Sequence, residues 1–76
     1  MNSTKSTDIA EFVREIRRSL NCTQEELAAQ LGVTFSTVNR WENSKSHPSK
    51  LAVRLLQSTA KELNDGDRLI QKYFPS

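Results

Sequence analysis

The sequence predicts an all-α domain, and three observations carry that prediction. Apolar residues recur at helical spacing in five successive runs, whereas no alternation of the kind a half-buried strand needs persists beyond a few residues. Between the runs stand residues that start or stop helices: Asn21, Gly32, SKSHPS at 44–49 and NDGD at 64–67. With one cysteine (Cys22) and one histidine (His47), the chain can furnish neither an internal disulfide nor a structural zinc site, so an apolar core must hold it together. At 76 residues and 36% apolar content, that core is near the lower limit for independent stability and leaves room for one small domain.

Taken in order, residues 1–7 are small and polar, with Lys5 the only charge, and are expected to form a flexible tail; a single lysine gives little support to a basic binding arm. The domain is expected over residues 8–76. Asp8 is placed to cap the first helix, with Glu11 three residues on, and Ile9, Phe12, Val13, Ile16 and Leu20 share one stripe. This helix should form the back of the core, ending at Asn21 and Cys22. The lone thiol of Cys22 reads as a small buried hydrophobe rather than a redox group.

Thr23 begins the second helix, with Glu26 closing a capping box, and Leu27, Ala28 and Leu31 make its apolar face. Gly32 follows at the position where a helix end needs positive φ. Thr34 caps the third helix, in which Val38 and Trp41 face inward. The stretch from Thr23 to Asn43, TQEELAAQLGVTFSTVNRWEN, is therefore a helix-turn-helix, and the rest of the chain is organised around it.

In the loop that follows, His47 is expected to be exposed and Pro48 to open the next helix. That helix should run from Ser49 to Asn64 on Leu51, Ala52, Leu55, Leu56, Ala60 and Leu63, with Val53 off the stripe. In NDGD, Gly66 is free to take positive φ and Asp67 to cap the last helix. Leu69, Ile70, Tyr73 and Phe74 give that short segment a large apolar load. Two roles stand open for it: closing the core, or joining two copies of the chain as a homodimer.

The outward face of the third helix carries Ser36, Asn39, Arg40 and Asn43 and no carboxylate. These are groups that base edges of duplex DNA can bind: Arg40 can fork onto guanine, Asn39 can pair with adenine, Ser36 can bond to either, and Phe35 can touch a thymine methyl. The net charge of +2 is only mildly basic, but its distribution is uneven. Arg40, Lys45, Lys50 and Arg54 gather in and after this helix against a lone Glu42, while Asp8, Glu11, Glu15, Glu25 and Glu26 lie upstream.

Other chemistry finds little support. Two glycines cannot build a phosphate-cradling loop, and His47 beside a proline has no evident orienting carboxylate, so an enzyme is not expected. No metal or cofactor is implied. No stretch approaches a membrane span and MNSTKST lacks the apolar segment of a secretory signal, which points to a cytoplasmic protein.

With these residues in place, TQEELAAQLGVTFSTVNRWEN resembles the helix-turn-helix of the lambda-repressor-like (Cro/C1, or XRE) family. Small or apolar residues stand where that family has them at Leu27, Ala28, Leu31, Val33, Val38 and Trp41, with the turn glycine at Gly32. The resemblance implies a compact five-helix bundle in which the second and third helices form the motif. It also implies that Gln24 bonds a phosphate and braces the third helix. Phe35, Ser36 and Arg40 match base-reading positions, and Asn43, Lys45 and the following loop match backbone contacts. An ion pair between Arg17 and Glu42 would be structural. Two residues depart from the pattern: Ser44 replaces a common glycine, which would shift any positive φ to Asn43, and Phe35 replaces a usual polar side chain.

The reading that follows is sequence-specific binding of double-stranded DNA by a transcriptional regulator that inserts helix Phe35–Asn43 in the major groove. Base contacts would come from Phe35, Ser36, Asn39 and Arg40, and backbone contacts from Gln24, Thr34, Asn43, Lys45, Lys50 and Arg54. The alternative is a protein-interaction or targeting module of a restriction-modification or toxin-antitoxin system, since a shared fold does not prove a shared function.

Overall fold

Helix starts and stops encoded locally divide the chain into α1 (Ser6–Leu20), α2 (Gln24–Leu31), α3 (Phe35–Glu42), α4 (Lys50–Lys61) and α5 (Gly66–Tyr73). The structure, a computed structural model, describes the backbone of residues 6–75 and the side chains of residues 8–75, and no strand occurs among the described residues. The all-α, five-helix expectation holds. Residues 1–5 of the expected tail lie outside the described residues. α1 takes in Ser6 and Thr7, so Asp8 lies in its first turn instead of capping it, where a carboxylate still meets the positive end of the helix dipole.

α1 is the central element, with Ile9, Ala10, Phe12, Val13 and Ile16 almost wholly removed from solvent. It packs against α3, α4 and α5, while α2 lies on α3 and α4 on α5. Leu27 and Ala28 of α2 and Val38 and Trp41 of α3 complete the motif side of one continuous core. Both motif helices start as read. The Thr23 hydroxyl accepts from the Glu26 N–H at 3.1 Å, and the Glu26 carboxylate accepts from the Thr23 N–H at 2.8 Å. The Thr34 hydroxyl accepts from the Thr37 N–H at 3.1 Å. Gly32 takes φ 77° at the end of α2.

At the end of α3 the backbone differs from expectation. Asn43 keeps φ −99°, and the positive φ falls on Ser44 at 57°. The bonds that close the helix fix this choice: the Ser44 N–H reaches the Trp41 carbonyl and the Lys45 N–H reaches the Arg40 carbonyl, so the residue between those two amides must turn left-handed. Asn21 does the same after α1 at φ 55°, in keeping with asparagine's tolerance of that region.

α4 begins later than its apolar run suggested. Ser49 caps it through a bond from the Ala52 N–H, and Pro48 lies buried before the cap instead of in the first turn. The helix stops at Lys61, short of Asn64. Its inner face is Leu56, Thr59 and Ala60, with Ala52, Val53 and Leu63 packed alongside. Leu51 and Leu55 are rotated off that face and are 68% and 42% exposed. Each lies one residue, about 100° of helical turn, from the residue that contacts the core.

α5 carries two further corrections. Asp67 lies inside its first turn and does not cap it, and the residue at the cap position, Asp65, makes no side-chain cap bond. Gly66 does not adopt positive φ. It is buried, and a Cβ there would stand 1.8 Å from the Ala60 carbonyl oxygen, so glycine is required by the close crossing of α4 and α5. Leu69 and Tyr73 are buried, and Ile70 and Phe74 pack against the core. Phe12 meets Tyr73 with ring centroids 5.5 Å apart and Phe74 edge-on at 5.0 Å. Of the two roles left open for this segment, these contacts fill the first: the apolar load of Leu69, Ile70, Tyr73 and Phe74 is taken up inside the chain.

Candidate nucleic-acid interface

The inner edge of α3 is bound to α1 and α2 by one polar network centred on Glu42. This carboxylate is only 4% exposed and accepts three bonds: from Arg17 Nε at 2.8 Å, Arg17 Nη2 at 3.0 Å and Gln24 Nε2 at 2.9 Å. Arg17 thus grips it with both arms of its guanidinium, the geometry in which an ion pair is most directional. Burial alone would push the Glu42 carboxyl up, but the bonds from Arg17 and Gln24 and the charges of Arg17 and Arg14 outweigh it and hold the group below its usual range. The bond to Glu42 correspondingly raises the Arg17 guanidinium.

Arg14 adds a second hold on the same helix end, its Nη1 donating to the Glu42 main-chain carbonyl. Its role was missed in the sequence, although a signal was present: Arg14 precedes Arg17 by three residues and so shares its helical stripe. No buried side-chain nitrogen or oxygen among the described residues lacks a partner.

The network continues outward and takes in one residue expected to read bases. Asn39 is half-buried, and its Nδ2 donates to Gln24 Oε1 at 3.1 Å. It stands one turn before Glu42, on the stripe that faces α2, which is why it is drawn toward Gln24 rather than projecting free. Asn43 then donates to the Asn39 carbonyl at 2.9 Å and to its Oδ1 at 3.2 Å. Arg17, Glu42, Gln24, Asn39 and Asn43 therefore form one connected series from the back of the domain to its surface.

Beyond that edge, Phe35 is 49% exposed, and Ser36 and Arg40 are exposed beside it. Thr34 is exposed but its hydroxyl is engaged in capping. Lys45, Lys50 and Arg54 are exposed, and neither they nor Arg40 form an ion pair with a described residue. Gln24 and Phe35 line one hollow of about 450 Å³ at the start of α2, together with Thr23 and Cys22. Cys22 is half-buried there, and burial pushes its thiol up, away from the thiolate a redox role needs. The arrangement is thus a polar face with free cations, backed by a helix whose orientation is locked. No helix among the described residues is long and apolar enough to cross a membrane.

Residues 13–59, from within α1 to the last turns of α4, match the helix-turn-helix family. The chain is similar to the HTH-type transcriptional activator BcrR of Enterococcus faecalis, with 33% identity over 64 residues covering 79% of this chain and 31% of that protein. It is also similar to the Type II methyltransferase M1.ScrFI of Lactococcus lactis subsp. cremoris, with 40% identity over 50 residues covering 62% of this chain and 13% of that protein. The chain therefore spans less than a third of the length of either relative. No solved structure matches it. Because the matched stretch contains both motif helices, the turn at Gly32 and the whole Glu42 network, the chain belongs to the Cro/C1-type (XRE) helix-turn-helix family of DNA-binding domains.

Proposed function

We propose that this domain binds double-stranded DNA sequence-specifically as part of a transcriptional regulator, with α3 lying in the major groove. The observation that carries the reading is the division of α3 into a bonded inner edge and an outer face of Phe35, Ser36 and Arg40 that bears no carboxylate. Arg40 would fork onto a guanine, Ser36 would bond a base edge and Phe35 would meet a thymine methyl. Asn39, first read as a base contact, acts in this proposal through Gln24 as a positioning residue. Gln24 keeps a second Nε2 hydrogen for a phosphate. Thr34 and Asn43 at the two ends of α3, together with Lys45, Lys50 and Arg54, would hold the backbone. Transcription regulation is supported by the likeness to an HTH-type transcriptional activator.

A second reading is favoured by the likeness to a Type II methyltransferase over a small part of that protein's length: the domain would serve as a targeting or protein-interaction module within a modification system. Selection of bound duplexes from a random pool at near-physiological salt separates the two. An enriched palindrome is the expected result and implies two copies with their α3 helices about 34 Å apart. Leu69 and Tyr73, being buried, are not open to join such copies. A single enriched half-site keeps the regulator reading with one copy bound. No enrichment would overturn base readout by α3 and leave a protein-docking role.

A further inference from the structure

A hollow to which α3 contributes no lining residue lies between the start of α1, the loop before α4, α4 itself and the residue after α5. It encloses about 530 Å³, within the roughly 300–1,000 Å³ typical of small-molecule sites. Its floor is apolar: Ile9 and Pro48 are buried, and Val53 and Phe74 are half-buried. Its rim is cationic, with Lys50 and Arg54 one helical turn apart on α4 and both exposed. His47 completes the rim, its Nδ1 2.9 Å from the Pro48 carbonyl, which can only accept, so that nitrogen carries the proton. Gln57 adds a half-buried amide, and no carboxylate is among the lining residues.

We propose that this cavity binds a small organic anion with an apolar body, such as an alkyl or aryl carboxylate. The chemistry of the lining selects that class. An apolar floor alone would take any hydrocarbon, but two unpaired cations at the mouth favour a ligand with a negative head. A fork from Arg54 and a donor from Lys50 match a carboxylate. A wholly charged ligand would leave the floor uncovered, and a neutral one would leave the cations without a partner. Lys50 and Arg54 also stand among the residues proposed to hold DNA phosphates, so the site is tested with no DNA present and its outcome is independent of the DNA-binding reading.

The probes are octanoate, below its micelle concentration, and octanamide, which has the same tail and no charge. Each is titrated into the full 76-residue chain, isotope-labelled for magnetic resonance. Octanoate is expected to give saturable shifts at the Ile9 and Val53 methyls and the Phe74 ring, and octanamide to bind about tenfold more weakly. The double variant Lys50→Gln, Arg54→Gln changes only exposed side chains; it should lower octanoate affinity to that of octanamide and leave octanamide unaffected. Shifts that do not saturate, shifts centred elsewhere, or equal affinity for the two probes would each overturn the proposal.

Discussion

α1 is fastened to α3 and to α5 by different means. Against α3 the shared apolar core is joined by directional bonds: the nearly buried carboxylate of Glu42 takes two bonds from Arg17, Arg14 holds the carbonyl of the same residue, and Gln24 of α2 adds a third bond to the carboxylate. Against α5 it is largely volumetric: Phe12 packs on both Tyr73 and Phe74, with the Tyr73 hydroxyl and Lys72 bonding Glu15 beside them. Hydrogen bonds weaken steeply with angle, whereas aromatic packing tolerates small slides. The helix with the candidate binding face is therefore fixed in rotation, and the helix that closes the core is fixed mainly by space.

The difference can be broken by substitution. Phe12→Ala removes both ring contacts and should cost about 3–5 kcal/mol in urea unfolding. Phe12→Leu should recover most of that, because volume is what the contact needs. Glu42→Ala should cost about 3 kcal/mol by leaving Arg17 poorly compensated. Here Glu42→Gln, which keeps the shape, should recover little. Full rescue by glutamine would show that the α3 contact is volumetric after all.

On DNA the expected effects are somewhat smaller. Arg40→Ala should cost about 1–3 kcal/mol and relax one base pair, while Lys45→Ala should weaken all sequences alike and lower the salt slope by about one. Asn39→Ala should behave as loss of bracing does, weakening binding without relaxing any single base pair. Equal losses on operator and random duplex for Arg40→Ala would remove Arg40 from base readout.

Titration sharpens the contrast further. Glu42 and Glu15 both lie below their ordinary value of 4.5, Glu15 chiefly through the Tyr73 hydroxyl. A depressed carboxyl contributes stability that is complete above its unfolded value and is lost as pH falls through the folded one. Glu42→Gln should therefore flatten the acid limb of a stability–pH curve. Glu15→Gln should flatten it less, because Glu15 is 28% exposed and solvent screens it. Tyr73 is displaced the other way: burial, then Glu15, push its phenol above the ordinary 10.0. Its contribution is complete below that value and is lost as pH rises through the raised folded one, so Tyr73→Phe should reduce the alkaline loss, leaving the share of Cys22, whose thiol is also pushed up. The smallest effect is expected at Ser44→Gly. Relieving φ 57° there should gain at most about 1 kcal/mol, since glycine loses more entropy on folding.

What could be read in the sequence was chemistry between near neighbours. The Thr23–Glu26 box, the Thr34 cap and the left-handed Gly32 depend on residues at most a few positions apart, and each stands in the structure as expected. The Arg17–Glu42 contact spans 25 positions and was reached through family resemblance, because spacing cannot join two helices. Periodicity assigned Leu51 and Leu55 to the core, yet the apolar arc of α4 is wider than α1 and α5 cover. A helical projection placed Asn39 outward because it gives an angle and not the opposing residue, and Gln24 stands there. Gly66 read as a turn glycine, and the Ala60 carbonyl that excludes any larger residue belongs to the preceding helix.

The bond between Gln24 and Asn39 bears on how binding preference could be transplanted. If α3 were a detachable cassette, exchanging its residues for those of a relative would carry that relative's preference with it. Here Asn39 and Glu42 end on α2 and α1, so a transplanted helix would arrive without its mounting and sit at a new angle. Residues in one bonded network do not contribute additively. A working graft would have to move Gln24, Arg14 and Arg17 with α3, which makes the transferable unit a patch drawn from three helices.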